Sequence, residues 1–226
     1  MTVELIHTTL YKWIATLHGL TGLIIFLTGI LQFIMKKGGK VHRIIGRIYN
    51  YSWIIILITG AYIGSLIIVA IVLMGFYLSV TGVRLAVLKG KPFERIDKTI
   101  LITAVFIVFF MIYSAIYFMV NQNSTMAIIS SFFALLYSFV LTLDIAWNIF
   151  KKRIINPKQD FGKMSWYIWH LSRMQFSFIT AVGAFTAVQN LFGNTVLNFI
   201  LPAFIGFIAV RASRKYFIKK LILETE

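Results

Sequence analysis

Apolar runs along this chain come at the lengths a lipid bilayer requires. Residues 13–35, Trp13 to Met35, are apolar apart from His18, small polar residues and Gln32, and the run stops at Lys36-Lys37. About 20 such residues cross a hydrocarbon core, which predicts a first spanning helix. A charge-free run follows from Ile48 to Val83. As a single helix rising about 1.5 Å per residue it would be roughly 54 Å long, far more than a core about 30 Å thick. It must be two helices, over 44–63 and 66–88, hinged within Gly60-Ala61-Tyr62-Ile63-Gly64-Ser65. The Gly60-x3-Gly64 spacing can equally serve helix packing, which leaves the turn open within that segment.

A charged loop with Pro92, from Lys89 to Lys98, precedes further spans at 99–120, 126–150, 166–188 and 195–212. Polar turns at Asn121–Thr125 and Gln189–Asn194 separate them, with a loop from Lys151 to Lys163 carrying Pro157, Asp160 and Gly162. No internal repeat or low-complexity segment stands out, so the chain reads as one domain. Its start carries Glu4 ahead of Lys12, and the apolar run exceeds the 7–15 residues or so of a signal core. An uncleaved first span is expected. The fold class is all-α: a polytopic transmembrane bundle of seven spanning helices.

Composition agrees. The 226 residues are 59% hydrophobic and 13% charged, with a mean hydropathy of +0.86, where soluble domains are about a quarter charged. The net charge of +15 raises nucleic acid as a partner, but the basic residues sit in short segments between apolar runs. Nucleic acid is therefore set aside. All Lys and Arg except Lys12 fall in the segments 36–47, 84–98, 151–163 and 211–220 or at Arg173, just inside the sixth helix. Seven spans put these on one face, which by the positive-inside rule gives N-terminus out, C-terminus in and the cytoplasmic (inner) membrane as location. There is no cysteine, which excludes disulfides, thiolate nucleophiles and covalently attached haem. Any haem would be held by histidine or methionine.

Several polar residues lie where lipid is expected. On the first helix His7, Tyr11, His18, Gly22, Gly29 and Gln32 share one line at 100° per residue. This is either a packing face, with His18 bonded to a neighbour, or it carries a ligand or proton-relay histidine. At the start of the second helix His42 lies beside Arg43 and Arg47, a pair that suits a phosphate, a carboxylate or a haem propionate, or lipid headgroups. Asp144 is the one carboxylate inside an apolar run and needs a partner; Arg173 and His170 of the sixth helix enter from the same side. Tyr137 and Asn148 share its face, and His170, Met174, Ser177, Ala181 and Ala184 form another polar and small stripe. His42, Arg43, Arg47, Asp144, His170 and Arg173 are the expected cytoplasmic-half cluster.

The pattern His18-x3-Gly22-x6-Gly29-x2-Gln32-Phe33, followed by His42-Arg43-x2-Gly46-Arg47-x-Tyr49, resembles a family of bacterial predicted membrane proteins classified only as a domain of unknown function. His170-x3-Met174-x2-Ser177 is similar to a later segment of that family, with Arg173 where a tryptophan is common. The resemblance covers the first two helices well and the sixth in part. It implies no activity, only that His18, His42 and His170 are positions to test.

Three functions compete. A non-covalent haem b or quinone redox protein would use the histidines, with arginines for propionates; His18 lies roughly 27 Å from the cytoplasmic end of its helix, so only His42 and His170 can pair at one depth. A small transporter or proton-coupled permease would titrate Asp144 and the histidines. A lipid- or isoprenoid-directed enzyme finds no metal or nucleophile motif. The remaining reading is an assembly, scaffold or sensor protein without chemistry. The bilayer is the expected partner, with an anionic lipid or small molecule at the cytoplasmic face.

Overall fold

The computed structural model describes residues 3–91, 94–148 and 165–223. Its described residues form seven helices: α1 Val3–Ile34, α2 Lys40–Ile63, α3 Leu66–Leu88, α4 Arg95–Val120, α5 Ser124–Asn148, α6 Ser165–Gln189 and α7 Thr195–Leu223. The hinge in the long apolar run falls at Gly64-Ser65. Gly64 N–H still bonds Gly60 O at 2.8 Å, but both residues turn extended, with ψ of 159° and 156°, and α3 starts afresh. Between α1 and α2 the chain reverses through Gly38, whose φ of +76° suits a residue without a Cβ. The loop Lys151–Lys163 and Pro92 lie outside the described residues.

Neighbours run antiparallel, as cross-helix contacts show. His18 pairs with Thr59, and Gln32 with the His42 carbonyl; Ser177 meets Gly75, and His170 meets Gly82; Gln175 meets Ser213. The helices close a ring in the order α1, α2, α3, α4, α5, α7, α6, and α3 packs along α6 across its middle. The larger core lies among α3, α4, α5 and α7 around Met111, Ile129, Phe133 and Tyr137; a smaller one around Tyr49, Trp53 and Ile25 lies towards α1 and α2. The basic segments within the described residues therefore gather at one end of the bundle, where α1, α3, α5 and α7 end and α2, α4 and α6 begin.

Six of the seven helices are long and apolar enough to cross a membrane; α6 is not among them. The reason is positional. Its Ser172, Arg173, Gln175, Ser177 and Thr186 are all buried, and the last four bond to α2, α3, α5 and α7. A helix that meets protein on most sides can carry polar groups that a lipid-facing helix cannot. The apolar side chains that remain exposed, such as Phe106, Phe109, Tyr113 and Tyr117 of α4, form an outward surface suited to lipid. α7 continues eleven residues past the expected end at Ala212, into a basic stretch.

Candidate functional site

At the basic end, α3, α4, α5 and α6 enclose a cavity of about 40 Å³, room for a few water molecules. Tyr77, Thr81, Arg84, Asp97, Asp144, Trp169 and Arg173 bring polar atoms to its wall, and Leu85, Ile100, Leu101 and Leu143 complete it. Asp144 and Arg173 are each 7% exposed and joined as an ion pair. Tyr77 donates its hydroxyl to the other carboxylate oxygen of Asp144 at 2.5 Å. Arg173 also donates to Thr81 Oγ1 at 2.9 Å; the Thr81 hydroxyl gives its own proton to Tyr77 O at 2.7 Å, which leaves its lone pairs for the guanidinium. Arg173 lies 5.8 Å from the Tyr77 ring centre as well. Three helices thus meet through one charge-assisted network.

A second ion cluster borders the same cavity. Arg84 forks onto Asp97, Nε to Oδ1 at 2.7 Å and NH2 to Oδ2 at 2.9 Å, and reaches Glu94 Oε2 at 2.7 Å. Asp97 also accepts the Glu94 backbone N–H at 2.9 Å, closing a capping box that starts α4. Sequence reasoning missed this cluster. The signal was present in Glu94-x2-Asp97 at a helix start, but Arg84 was read only as an interfacial positive charge.

The expected cluster assembles in part. Asp144 and Arg173 meet as charge demanded. His170 does not join them: its Nδ1 lies 2.7 Å from Gly82 O, an acceptor only, so that nitrogen carries the proton. The Nδ1 of His42 is buried with no hydrogen-bond partner among the described residues. Arg43 and Arg47 are exposed on the outside of α2. His18 sits near the other end of the bundle, its Nδ1 2.8 Å from Thr59 Oγ1. Thr59 donates to Ile55 O at 2.7 Å, so His18 is the donor to it.

The small and polar stripes prove to be contact faces. Gly22 faces Ile56, Gly29 takes the ring of Phe178, and Gln32 donates to His42 O at 3.0 Å. On α6, Met174 fills the space at Gly82, while Ser177 donates to Gly75 O at 2.9 Å and accepts from Tyr49 at 3.0 Å. Further along α5, two turns each from its neighbour, the Tyr137 and Ser130 hydroxyls are buried without partners among the described residues.

The basic-end wall of the cavity is braced by α7. Arg214 stacks over the Trp169 indole at 5.3 Å, and Phe217 meets the Tyr167 ring edge-on at 6.0 Å. Comparison of the chain with protein-family models, with curated proteins and with solved structures gives no match.

Proposed function

We propose that this integral membrane protein crosses the cytoplasmic membrane seven times, N-terminus out, and acts as a small proton-coupled permease whose titrating group is Asp144. The observation that carries this reading is a cavity with room for a few waters that meets the Asp144–Arg173 ion pair within the bundle. A buried ion pair contributes little net stability, because desolvation offsets the attraction. Its value lies in being switched. A proton from cavity water that settles on Asp144 removes the negative charge and leaves the Arg173 guanidinium buried without its counter-ion, which is strongly unfavourable. Asp97, the other carboxylate on that wall, is already taken by the Arg84 fork, so the freed guanidinium turns from Asp144 to cavity water while keeping Thr81 Oγ1. Two arrangements of one side chain, biased by one proton, are the element that coupling needs. Seven crossings are supported by α6 matching its neighbours in length and by the gathering of basic residues at one end, in keeping with the positive-inside rule.

The test uses proteoliposomes loaded with a pH-sensitive dye, a diffusion potential, and a panel of small organic anions and cations. Solute-dependent proton entry is expected, falling to the protein-free level in the Asp144→Asn/Arg173→Gln pair while its melting temperature stays near the parent's. Parent proteoliposomes that never differ from protein-free ones across the panel would sink the permease.

A second reading, a non-covalent haem b or quinone redox protein resembling the family of unknown function noted above, is favoured by the His42 Nδ1 that lacks a partner. His42 and His170 would hold the group, the latter through Nε2 because Nδ1 is held by Gly82, an orientation typical of metal-bound histidine; Arg43 and Arg47, exposed on the outside of α2, carry no part of this reading. Haem would supply one-electron transfer. Protein purified from haem-supplemented cells should then show a dithionite-reducible band that His42→Ala removes; a colourless, folded protein eliminates this reading.

A further inference from the structure

The cavity needs a route to water, and one wall of it is built differently from the rest. Most of the wall is apolar side chain or the Tyr77–Asp144–Arg173–Thr81 network. The exception is Arg84 with Asp97, which Glu94 joins from outside the cavity. Glu94 is 64% exposed, Arg84 20% and Asp97 3%, so the three side chains run in order from solvent at the basic end to the cavity interior. No other charged group among the described residues on that wall is part-exposed; Arg214 stands outside it, behind Trp169.

We infer that Arg84, Asp97 and Glu94 form an ionic latch across the entrance through which the cavity, and so Asp144, meets water at the basic end. This assignment rests on the reading of Asp144 as the titrating group and names the door to that same site. Two features distinguish a latch from a staple. The start of α4 is already capped by Asp97 accepting from Glu94 N–H, so the Arg84 fork adds nothing that the helix requires. The outer arm of the latch, Arg84 to Glu94, has its carboxylate end in solvent, where screening weakens an ion pair, so it opens readily. With the latch shut, the guanidinium fills the passage and its charge is neutralised on both sides. With it open, Arg84 swings to solvent and a polar channel lined by Asp97 joins water to the cavity.

The absence of cysteine from the chain makes the test clean. Leu101 lines the cavity and is 8% exposed, so Leu101→Cys places a single thiol behind the latch. Its irreversible reaction with Ag+, a thiol-seeking ion about the size of a water molecule, in detergent measures entry. In Leu101→Cys/Asp97→Asn the amide oxygen can still accept from Glu94 N–H, but the carboxylate that holds Arg84 is gone. Labelling is expected to accelerate at least tenfold. Leu101→Cys/Glu94→Gln changes only an exposed group, so its fold is not at issue, and it should accelerate labelling severalfold. Equal rates in all three proteins, or rapid labelling already in Leu101→Cys alone, overturn the latch. Thiol labelling is independent of transport: a failed latch beside intact proton entry removes only the gate, and absent proton entry beside a working latch removes only the permease.

Discussion

The outer edge of the Trp53 indole fills the space that a side chain on Gly75 would occupy, binding α2 to α3 at the level where Ser177 of α6 also reaches the Gly75 carbonyl. A Cβ at residue 75 would overlap the six-membered ring itself, which is rigid and fully buried.

Gly75→Ala should therefore destabilise the protein by about 1–3 kcal/mol, the usual cost of overpacking. Gly19→Ala, where an added Cβ meets nothing within 4 Å, should be neutral or slightly stabilising, since alanine is the better helix former. Thermal melting followed by tryptophan fluorescence compares the two; equal melting temperatures would contradict the packing described.

The Asp144–Arg173 pair should show strong coupling. Asp144→Asn or Arg173→Gln alone leaves one buried charge unpaired and should cost about 3–5 kcal/mol. The double variant, with two neutral amides, should recover much of that loss. A double-mutant cycle on melting checks it, and additive losses would mean that the two groups are not partners.

Tyr137 supplies the opposite sign. Its hydroxyl is buried without a partner among the described residues, a state that costs about 1–3 kcal/mol. Tyr137→Phe should raise the melting temperature. A clear drop would reveal a partner for the hydroxyl that the present geometry does not contain.

His18 is a structural donor in this bundle. Thr59→Val keeps the shape and removes the acceptor, so a loss of about 1 kcal/mol is expected, with proton entry in proteoliposomes unchanged. Loss of proton entry in Thr59→Val would return His18 to the conducting path.

Much of this architecture was legible in apolar run length alone, because lipid admits few solutions to backbone hydrogen bonding. The break at Gly64-Ser65 and the need of Asp144 for a cation followed from length and from charge. What stayed hidden was pairing in three dimensions. His170 could have met Asp144 as readily as Arg173 does, and nothing local said that Gly82 would offer its carbonyl instead. Arg84 looked like one more interfacial cation, because its partners lie across a turn and their alignment depends on how α4 begins. α7 outruns the span expected at 195–212 for another reason: loss of apolarity marks where lipid stops, and a helix can continue past it.

The inward polarity of α6 bears on how the chain is made. A segment bearing a buried arginine, a glutamine and several serines partitions poorly into lipid on its own, whereas α3, its main neighbour, is strongly apolar and is synthesised much earlier. The bundle therefore has an assembly order written into it: α3 must be in place and waiting before α6 can settle, and α6 is held in the bundle by the protein around it. Defects that loosen the α3–α6 seam, Gly75 and Gly82 foremost, would be felt during biogenesis, as chains expelled or degraded before they mature, ahead of any effect on the finished protein.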